Sequence, residues 1–132
     1  MEVHHIGYLV KNIDDSRIKF LELGYEAETS KEYDDIRGIY IQFLVNGNYR
    51  VELIEPASEK SQFHSALKRF RNLPYHICYV TEDIDGSIDE YAMKGFMLSQ
   101  APELAPCIGN RRVAFMQSPT MGIIELLEKE IV

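Results

Sequence analysis

Positive charge is scarce in this chain: 14 lysines and arginines stand against 21 aspartates and glutamates, a formal net charge of −7. Non-specific nucleic-acid binding draws its affinity from clustered cations, so the composition argues against that class of partner. It leaves room for an anionic small molecule, because Arg50, Lys68, Arg69, Arg71, Arg111 and Arg112 supply local positive charge. Long apolar runs are missing as well, and with them any stretch of the ~20 residues that would cross a bilayer as a helix. Met1-Glu2-Val3-His4 has neither the basic start nor the apolar core of a signal peptide, and a cytoplasmic protein is expected. Cysteine is limited to Cys78 and Cys107, which lack metal-type spacing and are expected to stay reduced. Cys78 follows His76 by two residues on an expected strand and shares its face, where a small buried hydrophobe is its ordinary role. The remaining composition, 45% hydrophobic and 27% charged, is that of a soluble globular protein with one domain's worth of core.

The chain does contain an internal repeat. The stretch from His5 to Tyr25 aligns without a gap on His76 to Phe96, with His5 on His76, Tyr8 on Tyr79, Ile13 on Ile84, Asp14 on Asp85, Ser16 on Ser87 and Gly24 on Gly95. A second echo sets Val51-Glu52-Leu53-Ile54-Glu55 against Ile124-Glu125-Leu126-Leu127-Glu128. A duplication of this size fixes the architecture before any propensity does. At 132 residues the two modules must share one core.

Each module reads as βαβββ. Val3 to Val10 has strand character; Asn12 then caps a helix whose first turn carries Asp14 and Asp15, whose face is Ile13, Arg17, Phe20 and Leu21, and whose stop is Gly24. A strand over Tyr25 to Thr29, an acidic loop over Lys31 to Asp35, and a hairpin of Ile39 to Val45 and Tyr49 to Glu55 across Asn46-Gly47 complete the first module. The second repeats this with Asp83 as cap, Ile84, Ile88, Tyr91 and Ala92 as the helix face, and Gly95 as the stop. Strands follow over Phe96 to Gln100, Arg112 to Gln117 and Gly122 to Leu127. Module boundaries fall at 1–57 and 74–132, joined by a helix over Ser58 to Leu73 with Phe63, Leu67 and Phe70 at helical spacing. Ala101 to Asn110, with Pro102, Pro106 and Gly109, is unsuited to a central strand and is expected to be a mobile loop near the site.

Four polar residues fall on apolar strand faces. His5 shares its side with Val3, Gly7 and Leu9, His76 with Cys78 and Val80, and Glu125 with Ile123 and Leu127; Glu52 is flanked by Arg50 and Ile54. A single strand histidine is more often a hydrogen-bonded core residue than a ligand, and a single inward glutamate can pair with Arg50 or Arg112. Recurrence of the His and the Glu in both modules changes the balance, because ionised carboxylates among apolar neighbours are expensive unless a cation meets them. One divalent metal would serve all four. Glu55 and Glu128 also recur, but on the opposite face, where solvation is the simpler expectation.

With these motifs in view, the sequence resembles the vicinal oxygen chelate superfamily, the glyoxalase/bleomycin-resistance fold, over essentially the whole chain. The opening strand His5-Ile6-Gly7 with Lys11-Asn12-Ile13-Asp14-Asp15, the second-module strand Tyr75 to Val80 with Asp83-Ile84-Asp85, and the last hairpin of Arg112 to Phe115 and Ile123 to Leu126 carry the resemblance. It implies an α+β fold of two tandem βαβββ modules forming a cup-shaped, partly closed mixed sheet with a metal at its centre. Within the superfamily the chain is similar to bacterial glyoxalase I (lactoylglutathione lyase) in a His5, Glu52, His76, Glu125 ligand set. It is similar to methylmalonyl-CoA epimerase in length and in the style of Glu52 to Pro56, although that group often has Gln at the Glu52 position. Ser118-Pro119-Thr120-Met121-Gly122 departs from the usual glyoxalase ending.

The resemblance further implies a divalent metal (Ni, Co or Zn) and a homodimer. The expected substrate is a thiol-linked small molecule, either a glutathione hemithioacetal or an acyl-CoA. The expected chemistry is removal and return of a proton beside a carbonyl, with Glu52 and Glu125 as the catalytic proton carriers. A metal-free drug-binding protein and a metal-bound thiol transferase are the competing expectations, and neither uses four such ligands as well.

Overall fold

The structure, a computed structural model, describes residues 1–131. Among the described residues there are nine strands and three α-helices, and the strands form a mixed sheet that does not close into a barrel. No described helix is long and apolar enough to cross a membrane. The chain parts into two compact units, one spanning His5–Tyr75 and the other joining Met1–His4 to the chain from His76 onward.

The first unit follows from local signals. β1 (Glu2–Leu9) leads to α1 (Ile13–Glu22), whose N-cap Asn12 accepts the Asp15 N–H at 3.0 Å. Gly24, at φ +96, provides the left-handed residue after the helix, a conformation a side chain would strain. β2 (Glu26–Ala27) and β3 (Glu32–Asp34) are short and pair with β4 (Ile39–Asn46), which turns through Gly47 at φ +58 into β5 (Tyr49–Pro56). The strand order is β2-β4-β5-β1, with β1 parallel to β5. Val10, Ile13, Leu44, Val51 and Leu53 bury themselves beneath α1 with Tyr8, Phe20, Tyr25 and Tyr40 packed against them.

The second unit repeats the pattern. β6 (Leu73–Thr81), α3 (Ile84–Met93), β7 (Met97–Ala105), β8 (Arg111–Ser118) and β9 (Gly122–Glu128) run in the order β6-β9-β8-β7, with β6 parallel to β9. Asp83 caps α3 by accepting the Gly86 N–H at 3.0 Å. The core here is Ile84, Ala114, Met116, Ile124 and Leu126, of which Ile84, Met116, Ile124 and Leu126 are the repeat counterparts of Ile13, Leu44, Val51 and Leu53.

Four expectations are corrected. The connecting helix is only α2 (His64–Phe70): Ser58 accepts the Lys60 N–H in a local turn, Ser61 bonds Arg37 O and the Phe63 N–H, and Leu73 already belongs to β6. The stretch expected to be a mobile loop is mostly edge strand β7, followed by a 3-10 turn over Pro106–Ile108. An edge tolerates Pro102, and β7 absorbs the misfit through register shifts between Leu98 and Glu103. The acidic loop contains β3, whose Asp34 is buried in an ion pair with Arg37 at 2.9 Å. Leu21, assigned to the packed face of α1, is 44% exposed.

Candidate metal centre

Parallel pairing of β1 with β5 sets Gly7 opposite Glu52, and two-residue alternation returns His5 to the same face. His5 Nε2 then lies 3.3 Å from Glu52 Oε1, with both residues buried. Phe43 is the β4 partner of Glu52 and stands edge-on to the His5 ring. The second unit builds the same arrangement on its own strands. Cys78 lies opposite Glu125, His76 Nε2 is 3.2 Å from Glu125 Oε1, and Phe115 pairs with Glu125 and stands edge-on to His76. Glu52, flanked in sequence by Arg50 and Ile54, is only 5% exposed. It sits within a run of four buried residues, Val51 to Ile54, so strand alternation understates how much of β5 is covered.

Each His–Glu contact is longer than the ~2.7–2.9 Å of a strong charge-assisted hydrogen bond. Two donors that each sit about 2.1 Å from one ion, at bond angles of roughly 90–109°, stand about 3.0–3.4 Å apart. The contacts therefore match what donors sharing an ion require. Each unit thus contributes one buried imidazole and one buried carboxylate, His5 with Glu52 and His76 with Glu125. Two imidazole nitrogens and two carboxylate oxygens are a donor set suited to Zn, Ni or Co.

The sequence offered arginines as partners for the glutamates, and the structure shows where two of these engage. Arg50 holds Glu28 through two contacts of 2.9 Å. Arg112 meets Glu128 at 2.8 Å and Asp85 at 3.1 Å, which raises its pKa above the ordinary guanidinium value, chiefly through the Glu128 hydrogen bond. Glu55 and Glu128 are thus not solvated bystanders: Glu128 pairs with Arg112, and Glu55 accepts the Ile13 N–H at 2.8 Å where α1 begins. Their recurrence is structural. Cys78 is wholly buried with Ala105, Val113 and Leu127, and neither cysteine is in a disulfide.

Phe43 and Phe115 were not singled out from sequence. Their signal was available, since they stand 72 positions apart, between the spacings of 71 for the histidines and 73 for the glutamates.

Comparison with known proteins agrees with this architecture. A family model described as the glyoxalase/bleomycin resistance protein/dioxygenase superfamily matches residues 4–115. No curated protein sequence matches the chain. Among solved structures, a hypothetical protein, BH1468, from Bacillus halodurans C-125 is similar at 26% identity and a TM-score of 0.85, over 99% of this chain and 96% of that one. Methylmalonyl-CoA epimerase from Mycobacterium tuberculosis is similar at 20% identity and a TM-score of 0.82, over 98% and 88%. A Streptomyces coelicolor methylmalonyl-CoA epimerase variant in complex with 2-nitronate-propionyl-CoA is similar at 20% identity and a TM-score of 0.83, over 100% and 96%.

Proposed function

The chain belongs to the glyoxalase/bleomycin resistance/dioxygenase superfamily, and from that premise we propose that it is a metal-dependent isomerase that moves a proton on the carbon beside a carbonyl of a thiol-linked substrate. The observation that carries this reading is the buried His–Glu pair, built once in each unit. His5, Glu52, His76 and Glu125 would hold a divalent ion such as Ni, Co or Zn. When bound, such an ion supplies Lewis-acid stabilisation of negative charge on the carbonyl oxygen, charge that exists only near the transition state.

The chain's own residues do the rest. Glu52 and Glu125 are the acidic groups among the four, and one of them takes the proton from carbon and returns it. We assign the role to the pair, because coupled carboxylates resist separate labels. Phe43 and Phe115, edge-on to the two imidazole rings, help to orient them.

Return of the proton to the adjacent carbon is the glyoxalase I reaction, which the two-His, two-Glu donor set favours. Return to the opposite face of the same carbon is epimerisation. Two structural neighbours favour this second reading, since they are complexes with 2-nitronate-propionyl-CoA and with methylmalonyl-CoA. The proposal includes a homodimer, to be checked by light scattering.

Purified protein loaded in turn with Ni, Co and Zn, assayed on the methylglyoxal–glutathione hemithioacetal and on methylmalonyl-CoA, tests the reading. Turnover of either supports it and names the carrier. Metal-loaded protein that turns over neither and exchanges no solvent deuterium into either overturns it.

A further inference from the structure

At least eight of the fourteen lysines and arginines lie within ion-pair distance of a carboxylate among the described residues. Lys11, Lys68 and Arg71 form no hydrogen bond or ion pair through their side chains with any described residue, and all three line one recess of about 390 Å³ together with His64 and Leu67. His64, Leu67 and Lys68 lie in α2 at the spacing that places side chains on one helix face, and Arg71 is the residue that ends the helix. Leu67 is the apolar residue of the lining, and Lys11 comes to it from the turn between β1 and α1. Of the basic residues conspicuous in the sequence, Arg69 is instead placed over the Phe70 ring and Arg50 is held by Glu28, so the recess selects a subset that charge counting could not.

Like charges at such spacing repel one another, and a chain with a net charge of −7 has carboxylates to spare for neutralising them. That these cations converge and stay unpaired is the arrangement expected where an incoming anion supplies the missing charge. Lys11 also lines an adjoining recess of about 730 Å³, whose walls include Tyr8, Val10, Phe20 and Leu23. A cationic recess and a partly apolar one that share Lys11 as a wall match a ligand with a phosphate at one end and a ring system at the other.

We propose that Lys11, His64, Lys68 and Arg71 form a phosphate-binding site for a nucleoside phosphate, with the phosphate among the cations and the nucleoside in the adjoining recess. Two sources share this chemistry: the phosphorylated carrier of the metal centre's own substrate, and a free nucleotide. The site rests on residues separate from the four candidate metal ligands, so it stands or falls independently of them.

The probes are adenosine 3′,5′-bisphosphate and inorganic phosphate, titrated calorimetrically into the full chain with and without added metal. The bisphosphate is expected to bind more tightly than phosphate, to weaken with added salt, and to weaken at least tenfold in Lys68→Ala/Arg71→Ala. These are exposed positions, so thermal melts should match wild type. Absence of binding, or binding that the double substitution leaves unchanged, overturns the proposal whatever the metal analysis shows. Where an acyl-CoA is turned over, a rise in KM for the CoA thioester but not for the phosphate-free pantetheine thioester in the double variant identifies the substrate carrier. Equal KM values beside lost bisphosphate binding identify a free nucleotide.

Discussion

Phe43 stands edge-on to His5, with 5.3 Å between ring centroids and 72° between ring planes. Phe115 does the same to His76 at 5.4 Å and 86°, so each half of the chain holds its imidazole with an aromatic ring from the strand opposite its glutamate. Both phenylalanines are buried, at 4% and 7% exposure, and truncating either opens a cavity. Phe43→Ala and Phe115→Ala should each cost about 3–5 kcal/mol in urea unfolding. Phe43→Leu and Phe115→Leu should recover much of that stability while lowering turnover. Full turnover in both leucine variants would remove the orienting role.

Glu125→Gln keeps shape and hydrogen-bonding capacity but removes the proton carrier's charge. Turnover should fall by orders of magnitude with an unchanged circular dichroism spectrum, and Glu52→Gln should behave alike. Near-wild-type turnover in either variant would remove that residue from the proposed chemistry.

Much of this was legible because the duplication carries its own controls. The caps Asn12 and Asp83, the stops Gly24 and Gly95, and the Asn46-Gly47 hairpin turn are local, and local signals survive folding unchanged. The His5, Glu52, His76, Glu125 group could be named because each member recurs in the second module. What escaped was set by tertiary neighbours. Asp34 reads as a loop residue until Arg37 covers it, Glu55 reads as solvated until the α1 N-terminus meets it, and α2 shortens because Ser61 is tied to Arg37. Strand β7 was missed because proline and a broken register hide an edge strand that need satisfy only one neighbour.

Gly86 offers a test of the repeated helix start. Alanine normally stabilises a helix by up to about 1 kcal/mol over glycine. Here a Cβ on Gly86 would collide with the Asp83 carboxylate that caps α3. Gly86→Ala should therefore give no gain in melting temperature, and the two substitutions Asp83→Ala and Gly86→Ala should be clearly non-additive in a double-mutant cycle. Simple additivity would show that the Gly86 position and the Asp83 cap are not coupled.

The buried pair of Asp34 and Arg37 makes a sharper demand. Asp34 accepts the N–H groups of Ile36 and Arg37, each at 3.0 Å, as well as the guanidinium. Asp34→Ala leaves a buried cation without that carboxylate and should cost about 3–5 kcal/mol by urea denaturation. A cost below about 1 kcal/mol would mean that the pair is solvated in solution.

The central claim is that His5, Glu52, His76 and Glu125 hold one divalent ion. It is tested most directly by metal analysis of the purified chain after loading with Ni, Co or Zn and removal of excess. The account predicts close to one ion per chain in wild type, well under one in His76→Ala at unchanged secondary structure, and a melting temperature that falls on chelation and returns with the ion. A chain that retains no metal, or that retains as much after His76→Ala, would contradict it and favour a metal-free binding protein.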